Sequence, residues 1–107
     1  MQLDRVFRAL GDPTRRAVLG RLSRGPAAVS ELARPFDMAL PSFVQHLAVL
    51  QSCGLVRSRK TGRVRTFQLV PQPLEAAERW MVEQRALWGR RLDQLDNYLK
   101  DLKEREE

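Results

Sequence analysis

The sequence is short of the atoms from which disulfides and soft-metal centres are made. It holds one cysteine, Cys53, and one histidine, His46, in 107 residues. No intrachain disulfide can form, and one chain cannot supply a closed site of three or four Cys and His donors. A lone thiol fits a reducing compartment. There is no Gly-rich phosphate loop, and no nucleophile has a base and an orienting group near it in sequence, so no catalytic residue is named. No apolar run approaches the roughly 18 to 20 residues of a membrane span. The opening MQLDRVFRALGDP lacks the apolar stretch of a signal peptide. The expectation is a cytoplasmic protein, not an enzyme, with no cofactor, no metal and no membrane partner.

Carboxylates are missing from one part of the chain. Residues 38–74 carry five Arg or Lys and no acid, whereas residues 1–37 carry seven Arg against four acids and residues 75–107 seven basic groups against nine acids. The net charge of +6 therefore includes an unopposed positive field in the middle third. Such a field attracts a polyanion, with nucleic acid first among the candidates; a solubilising surface is the plainer alternative.

What is present is the composition of one folded domain, 43% apolar and 30% charged. A chain of this length buries only about two thirds of the surface it exposes when unfolded, so a partner chain would help it. Leu3, Val6, Phe7 and Leu10 fall at i, i+3, i+4 and i+7, which predicts an amphipathic helix that Gly11 can end. Asp12 is then a natural N-cap and Pro13 a natural first helical residue. The second helix should face inward with Ala17, Val18 and Leu22. The Gly-Pro pair in SRGPAAVS breaks it, and Ser30, Glu31 and Leu32 start a short third helix that Pro35 ends. FDMALP is read as a turn.

Residues 41–53 then form the second helix of a helix-turn-helix. Phe43, Leu47 and Leu50 share one face, and Ser42, Gln45, Val49 and Ser52 line the other. Gly54 supplies the left-handed residue that ends it. LVRSRK and RVRTFQL make two strands around the two-residue loop Thr61-Gly62. The predicted fold is mainly α with a small β-hairpin: a dimeric winged helix-turn-helix with a long C-terminal helix. Residues 1–12 are an N-terminal dimerisation helix, 13–54 the helix-turn-helix core, 55–69 the wing and 73–104 a C-terminal dimerisation helix, all in one domain of 1–107.

A major groove roughly 12 Å wide admits a helix whose leading face is small and hydrogen-bonding. Ser42 and Gln45 meet that requirement, Pro41 stands beside them at the helix start as a further DNA-facing residue, and Arg57, Arg59, Lys60, Arg63 and Arg65 on the wing can reach phosphates or the minor groove. His46 lies on the flank between the two faces, where it can hydrogen-bond within the fold or meet a phosphate. Cys53 reads as a small buried apolar residue, with an intermolecular disulfide as the alternative. In the tail, Trp88, Leu92, Leu95, Leu99 and Leu102 recur at spacings of four, three, four and three, drawing one apolar stripe along a long helix. Pairing with its copy and with the first helix of either subunit would place Leu3, Phe7, Trp88, Leu92, Leu95 and Leu99 in a dimer interface; folding back on its own domain is the alternative. Two-fold pairing would present two reading helices about 34 Å apart and match a palindromic operator.

FRALGDPTRRAVLGRLSRGPAAVSEL, PSFVQHLAVLQSCGLVRSRKTGRVRTFQL and PLEAAERWMVEQRALWGRRLDQLDNYL together resemble the ArsR/SmtB-type bacterial repressors, small dimeric winged helix proteins. The likeness covers nearly the whole chain. It implies a DNA-binding role for helix 41–53 and hairpin 55–69, and is nearest to the metal-independent members. Metal-sensing members carry Cys-X-Cys on the third helix, where this chain has SELARPFDM; their other site uses His and carboxylates on the last helix, and residues 75–107 contain no His. Val44 stands where the family often has Ser, and Phe43 is larger than the usual aliphatic. The resulting expectation is a sequence-specific, double-stranded-DNA-binding transcriptional regulator acting as a homodimeric repressor. The alternatives are a winged-helix protein-interaction module that does not bind DNA and a metal- or thiol-responsive repressor.

Overall fold

The computed structural model describes residues 3–106. Its elements are α1 (Leu3–Leu10), α2 (Pro13–Leu22), β1 (Ala27–Ala28), α3 (Val29–Ala33), α4 (Leu40–Ser52), β2 (Val56–Thr61), β3 (Val64–Leu69) and α5 (Gln72–Glu106). Residues up to Ala77 form one compact unit and the chain from Glu78 a second.

The turn between α1 and α2 follows from Gly11-Asp12-Pro13. The Gly11 N–H bonds the Arg8 carbonyl, and the Asp12 carboxylate accepts the Arg15 N–H at 3.0 Å from an extended N-cap conformation. The inward face of α2 differs from the expected one. Val18, Leu19 and Leu22 are buried, whereas Ala17 is exposed. Turning the larger Leu19 inward removes more apolar surface from water than turning Ala17 inward would.

Gly25 adopts φ +138°, and the chain then runs extended into β1, which pairs antiparallel with β3 through Ala27↔Phe67 and Ala28↔Thr66. The sheet is therefore three-stranded, in the order β1-β3-β2, rather than a hairpin alone. Helix α3 starts at Val29, one residue before Ser30, with Ala28 as an N-cap that offers no side-chain bond. The turn into α4 is pinned where the Phe36 ring meets Phe43 edge-on at 5.3 Å, an arrangement that adds to simple burial.

Helix α4 buries Phe43, Leu47 and Leu50, each 2% exposed or less. Burial of each such side chain stabilises the fold by about 1.5–3 kcal/mol. The helix ends in a Schellman motif: Gly54 sits at φ +80°, its N–H bonds the Gln51 carbonyl, and the Leu55 N–H reaches back to the Leu50 carbonyl. Leu50 and Leu55 are both fully buried, so the hydrogen bonds and the apolar contact close together.

The hairpin turns one residue later than predicted. Thr61 pairs with Val64, leaving Gly62-Arg63 as the loop, and Gly62 holds φ +62°. The reason is steric. A Thr61-Gly62 loop would place a β-branched residue at positive φ, whereas a loop with glycine at its first position needs only that glycine there. At the start of α5, Leu74 and Ala77 pack into the core with α1, α2, α4 and the sheet. The helix continues to Glu106.

Candidate nucleic-acid interface

The seat of α4 is a small polar joint. The Arg15 guanidinium donates from Nε to the Ala9 carbonyl at 2.8 Å and from Nη2 to the Arg8 carbonyl at 3.0 Å, and Arg16 Nη1 donates to the Leu10 carbonyl at 2.8 Å. The two arginines of GDPTRR thus bond the Ala9 and Leu10 carbonyls at the end of α1, add a second donor to the Arg8 carbonyl that Gly11 already meets, and bring positive charge to the negative end of the helix dipole. Arg15 Nη1 also lies 3.3 Å from His46 Nδ1, which itself lies 3.7 Å from the Asp12 carboxylate. Of the two roles open to His46 from sequence, the internal hydrogen bond is present, and its side chain remains 23% exposed. The Arg15 backbone N–H is the main influence holding the Asp12 carboxyl below the usual carboxylate range; the nearby His46 and Arg15 side chains act in the same direction, and partial burial opposes them.

With Phe43, Leu47 and Leu50 turned into the core, α4 presents Pro41, Ser42, Gln45, Ala48, Val49 and Ser52 to solvent. Val44 is also exposed, at 44%, with Leu40 more so. Ser52 Oγ turns back onto the Val49 carbonyl at 2.9 Å; Ser42 and Gln45 are the outward hydrogen-bonding groups of the first turns, and Gln51 is exposed near the helix end. No residue from Leu40 to Cys53 is Lys, Arg, Asp or Glu.

The strand register distributes the wing cations. Arg57 faces Gln68 across the ladder and donates from Nε to its Oε1 at 3.4 Å; Arg59 stands opposite Thr66. On the other face Lys60 stands directly opposite Arg65, whose Nη1 donates to Ser58 Oγ at 2.8 Å. Arg63 occupies the tip. All five basic side chains are exposed. Arg63 and Arg65 line one cleft of about 410 Å³ with Ser30 of α3 and Leu40 of α4. The wing tip and the start of the second helix of the helix-turn-helix therefore belong to one surface.

Among the described residues, no three His, Cys, Asp or Glu side chains are grouped so as to hold a metal ion. Cys53 is half-buried at the end of α4, its thiol donating to the Leu50 carbonyl at 3.4 Å. No helix among the described residues is long and apolar enough to cross a membrane. Leu3 and Phe7 are partly buried against the core of their own chain. Within the second unit, Trp88, Leu92, Leu95 and Leu99 are each more than half exposed, with Arg91 stacked 5.5 Å from the centre of the Trp88 ring.

A reading helix set on a three-helix support and flanked by a basic two-stranded wing defines a winged helix-turn-helix protein, a DNA-binding class. Residues 10–59 match the family model described as a helix-turn-helix domain. The crystal structure of the ArsR family transcriptional regulator RHA00566 is 60% identical, covers 83% of this chain and 98% of its own, and superposes with a TM-score of 0.79. The HTH-type transcriptional regulator Rv2034 of Mycobacterium tuberculosis is 48% identical over 73 residues, 68% of each chain. The arsenical resistance operon repressor of Escherichia coli is 35% identical over 85 residues, 74% of this chain and 73% of its own. The chain belongs to the ArsR family of transcriptional regulators.

The arginine caps of α1 lie outside what the sequence reading anticipates. A basic residue soon after a Gly-Asp-Pro turn is the signal that could find them, since the turn folds the second helix back over the open carbonyls of the first.

Proposed function

We propose that this regulator acts in the cytoplasm as a homodimeric repressor on a two-fold symmetric DNA site. Pro41, Ser42 and Gln45 of α4 enter the major groove, while Arg57, Arg59, Lys60, Arg63 and Arg65 hold phosphates or the adjoining minor groove. His46 seats α4 through the Arg15–Asp12 joint and offers its exposed edge to a flanking phosphate. The observation that carries this reading is the cleft shared by Leu40, Arg63 and Arg65, which joins an uncharged helix face to an acid-free basic wing. Trp88, Leu92, Leu95 and Leu99, with the exposed parts of Leu3 and Phe7, pair the two copies. Metal is not the signal, because a chain with one Cys and one His cannot complete a soft-donor site by itself.

The test separates the helix from the wing. Replacing Arg63 or Arg65 with Ala should weaken binding to all DNA alike, lowering the slope of log affinity against log salt by about 0.9 for each phosphate that is no longer neutralised. Gln45→Ala should cost about 1–3 kcal/mol for each base that the amide no longer reads on the preferred site, while leaving nonspecific affinity and the salt slope nearly unchanged. Equal losses on specific and nonspecific DNA for Gln45→Ala would remove the helix from the bases. An unchanged slope for the arginine variants would remove the wing from the phosphates and favour a protein-interaction role.

A further inference from the structure

The outer face of α4 is not uniformly polar. Pro41, Val44 and Ala48, at i, i+3 and i+7, form an exposed stripe beside the Ser42–Gln45 edge. Val44 takes no part in the core cluster or in the apolar residues packed against it. A branched aliphatic side chain 44% exposed on a reading face has no evident use in the fold of the chain itself.

The helix also lacks what other base pairs would require. Guanine is read most often by Arg or Lys on its O6 and N7, and the amino group of cytosine by Asp or Glu; α4 has none of these. The hydroxyl of Ser42 can bond any base and so selects none; the groups on this face that select are Gln45, whose amide matches N6 and N7 of adenine, and the methyl groups of Val44 and Ala48, which match the 5-methyl group of thymine. Adenine and thymine are partners in one pair, so both readings converge on the same sequence class.

We infer that Val44, with Ala48 beside it, is a specificity-determining residue that packs on thymine 5-methyl groups, so that the base pairs under α4 in each half-site are A·T. This rests on the reading of α4 as the base-contacting helix and names what that helix selects. The stripe is an apolar contact in an otherwise hydrated groove, and its contribution is that of removing about one methyl group per half-site from water.

The experiment starts by selecting duplexes from a random-core pool with the full chain. Each thymine of the selected half-site is then replaced by deoxyuridine, which deletes the methyl group and leaves base pairing and phosphates intact. The expected result is A·T enrichment under the helix and a loss of about fourfold per half-site on uracil substitution, or about 15-fold when both half-sites are changed, following from roughly 0.8 kcal/mol per buried methyl. Val44→Ala should lose a similar factor on the thymine duplex, bind thymine and uracil duplexes alike, and keep the parental salt slope. The inference is overturned if the parent protein binds thymine and uracil duplexes equally, if Val44→Ala retains the thymine preference, or if the pairs under the helix come back G·C. The uracil arm uses the unaltered protein, so it decides the matter whatever the variant's stability. A pool returned without any sequence preference would overturn base reading by α4 altogether; a defined motif indifferent to the methyl group overturns this inference alone.

Discussion

Replacing Arg15 with Ala removes the tie between α1, α2 and α4, and the cost can be worked out from its hydrogen bonds. The partly buried bond from Nε to the Ala9 carbonyl, at 2.8 Å, is charge-assisted and contributes about 1.5 kcal/mol; the exposed bond to Arg8 and the 3.3 Å approach to His46 add about 0.5 kcal/mol each. The sum is about 2.5 kcal/mol. For a domain of this size, 1 kcal/mol shifts Tm by about 4–8 °C, so the variant should melt about 10–20 °C below the parent. Arg16→Ala loses a single exposed bond to Leu10 and should fall by only about 2–4 °C. Arg15→Lys keeps a cation near the end of α1 but cannot span two carbonyls, and should recover about half of the loss. Circular dichroism melts at one fixed protein concentration measure all three, because a self-associating chain has a concentration-dependent Tm. If Arg15→Ala melts within about 3 °C of Arg16→Ala, the joint does not hold the helices together as described.

Three further outcomes are expected. Leu95→Glu places a carboxylate in the apolar stripe and should leave monomer in light scattering at micromolar concentration, where the parent should be dimer; an unchanged dimer mass would move the interface elsewhere. Zinc, cadmium or arsenite at modest excess should change operator affinity by less than about threefold, and a tenfold loss reversed by chelator would reveal a site shared between copies. Asp12→Asn keeps a capping side chain but removes its charge. Since the folded-state pKa of Asp12 is lowered, its charge stabilises the fold above the unfolded carboxyl pKa of about 3.9, and this contribution is lost as pH falls through the folded value. The stability gap between parent and variant should close on acidification through that range, and a gap of constant size in denaturant titrations from neutral to acid pH would contradict it.

Much of this architecture is legible because it is written in local chemistry. Asp12-Pro13 announces a helix start, Gly54 a helix end, and the spacing of Phe43, Leu47 and Leu50 a buried face, each within a few residues. What escapes a sequence reading depends on partners distant along the chain. Strand β1 is two alanines long and has no periodicity; it exists because β3 runs beside it. Leu19 rather than Ala17 faces inward because the packing of α1 and α4 decides the rotation of α2. The turn falls at Gly62-Arg63 rather than one residue earlier because the loop position is set by what Thr61 can tolerate as well as by where the glycine stands. For the interface, the basic residues are plain in the sequence, but their division between two faces of the wing appears only with the strand register. Val44 reads in the sequence as one more apolar residue of α4; its exposure beside Gln45 gives it a chemical meaning.

With the wing on phosphates as proposed, the pairing of Lys60 with Arg65 should give it two opposite responses to salt. Like charges directly across a ladder destabilise a hairpin by up to about 1 kcal/mol, and at about 0.1 M ionic strength the Debye length of about 10 Å screens part of that repulsion. Raising salt should therefore tighten the free wing, detectable as slower amide exchange in β2 and β3, while the same salt loosens the complex by competing for phosphate. If the wing holds phosphates as proposed, a polyanion would relieve this repulsion, and the hairpin should be least settled in dilute solution without DNA and should gain order on binding.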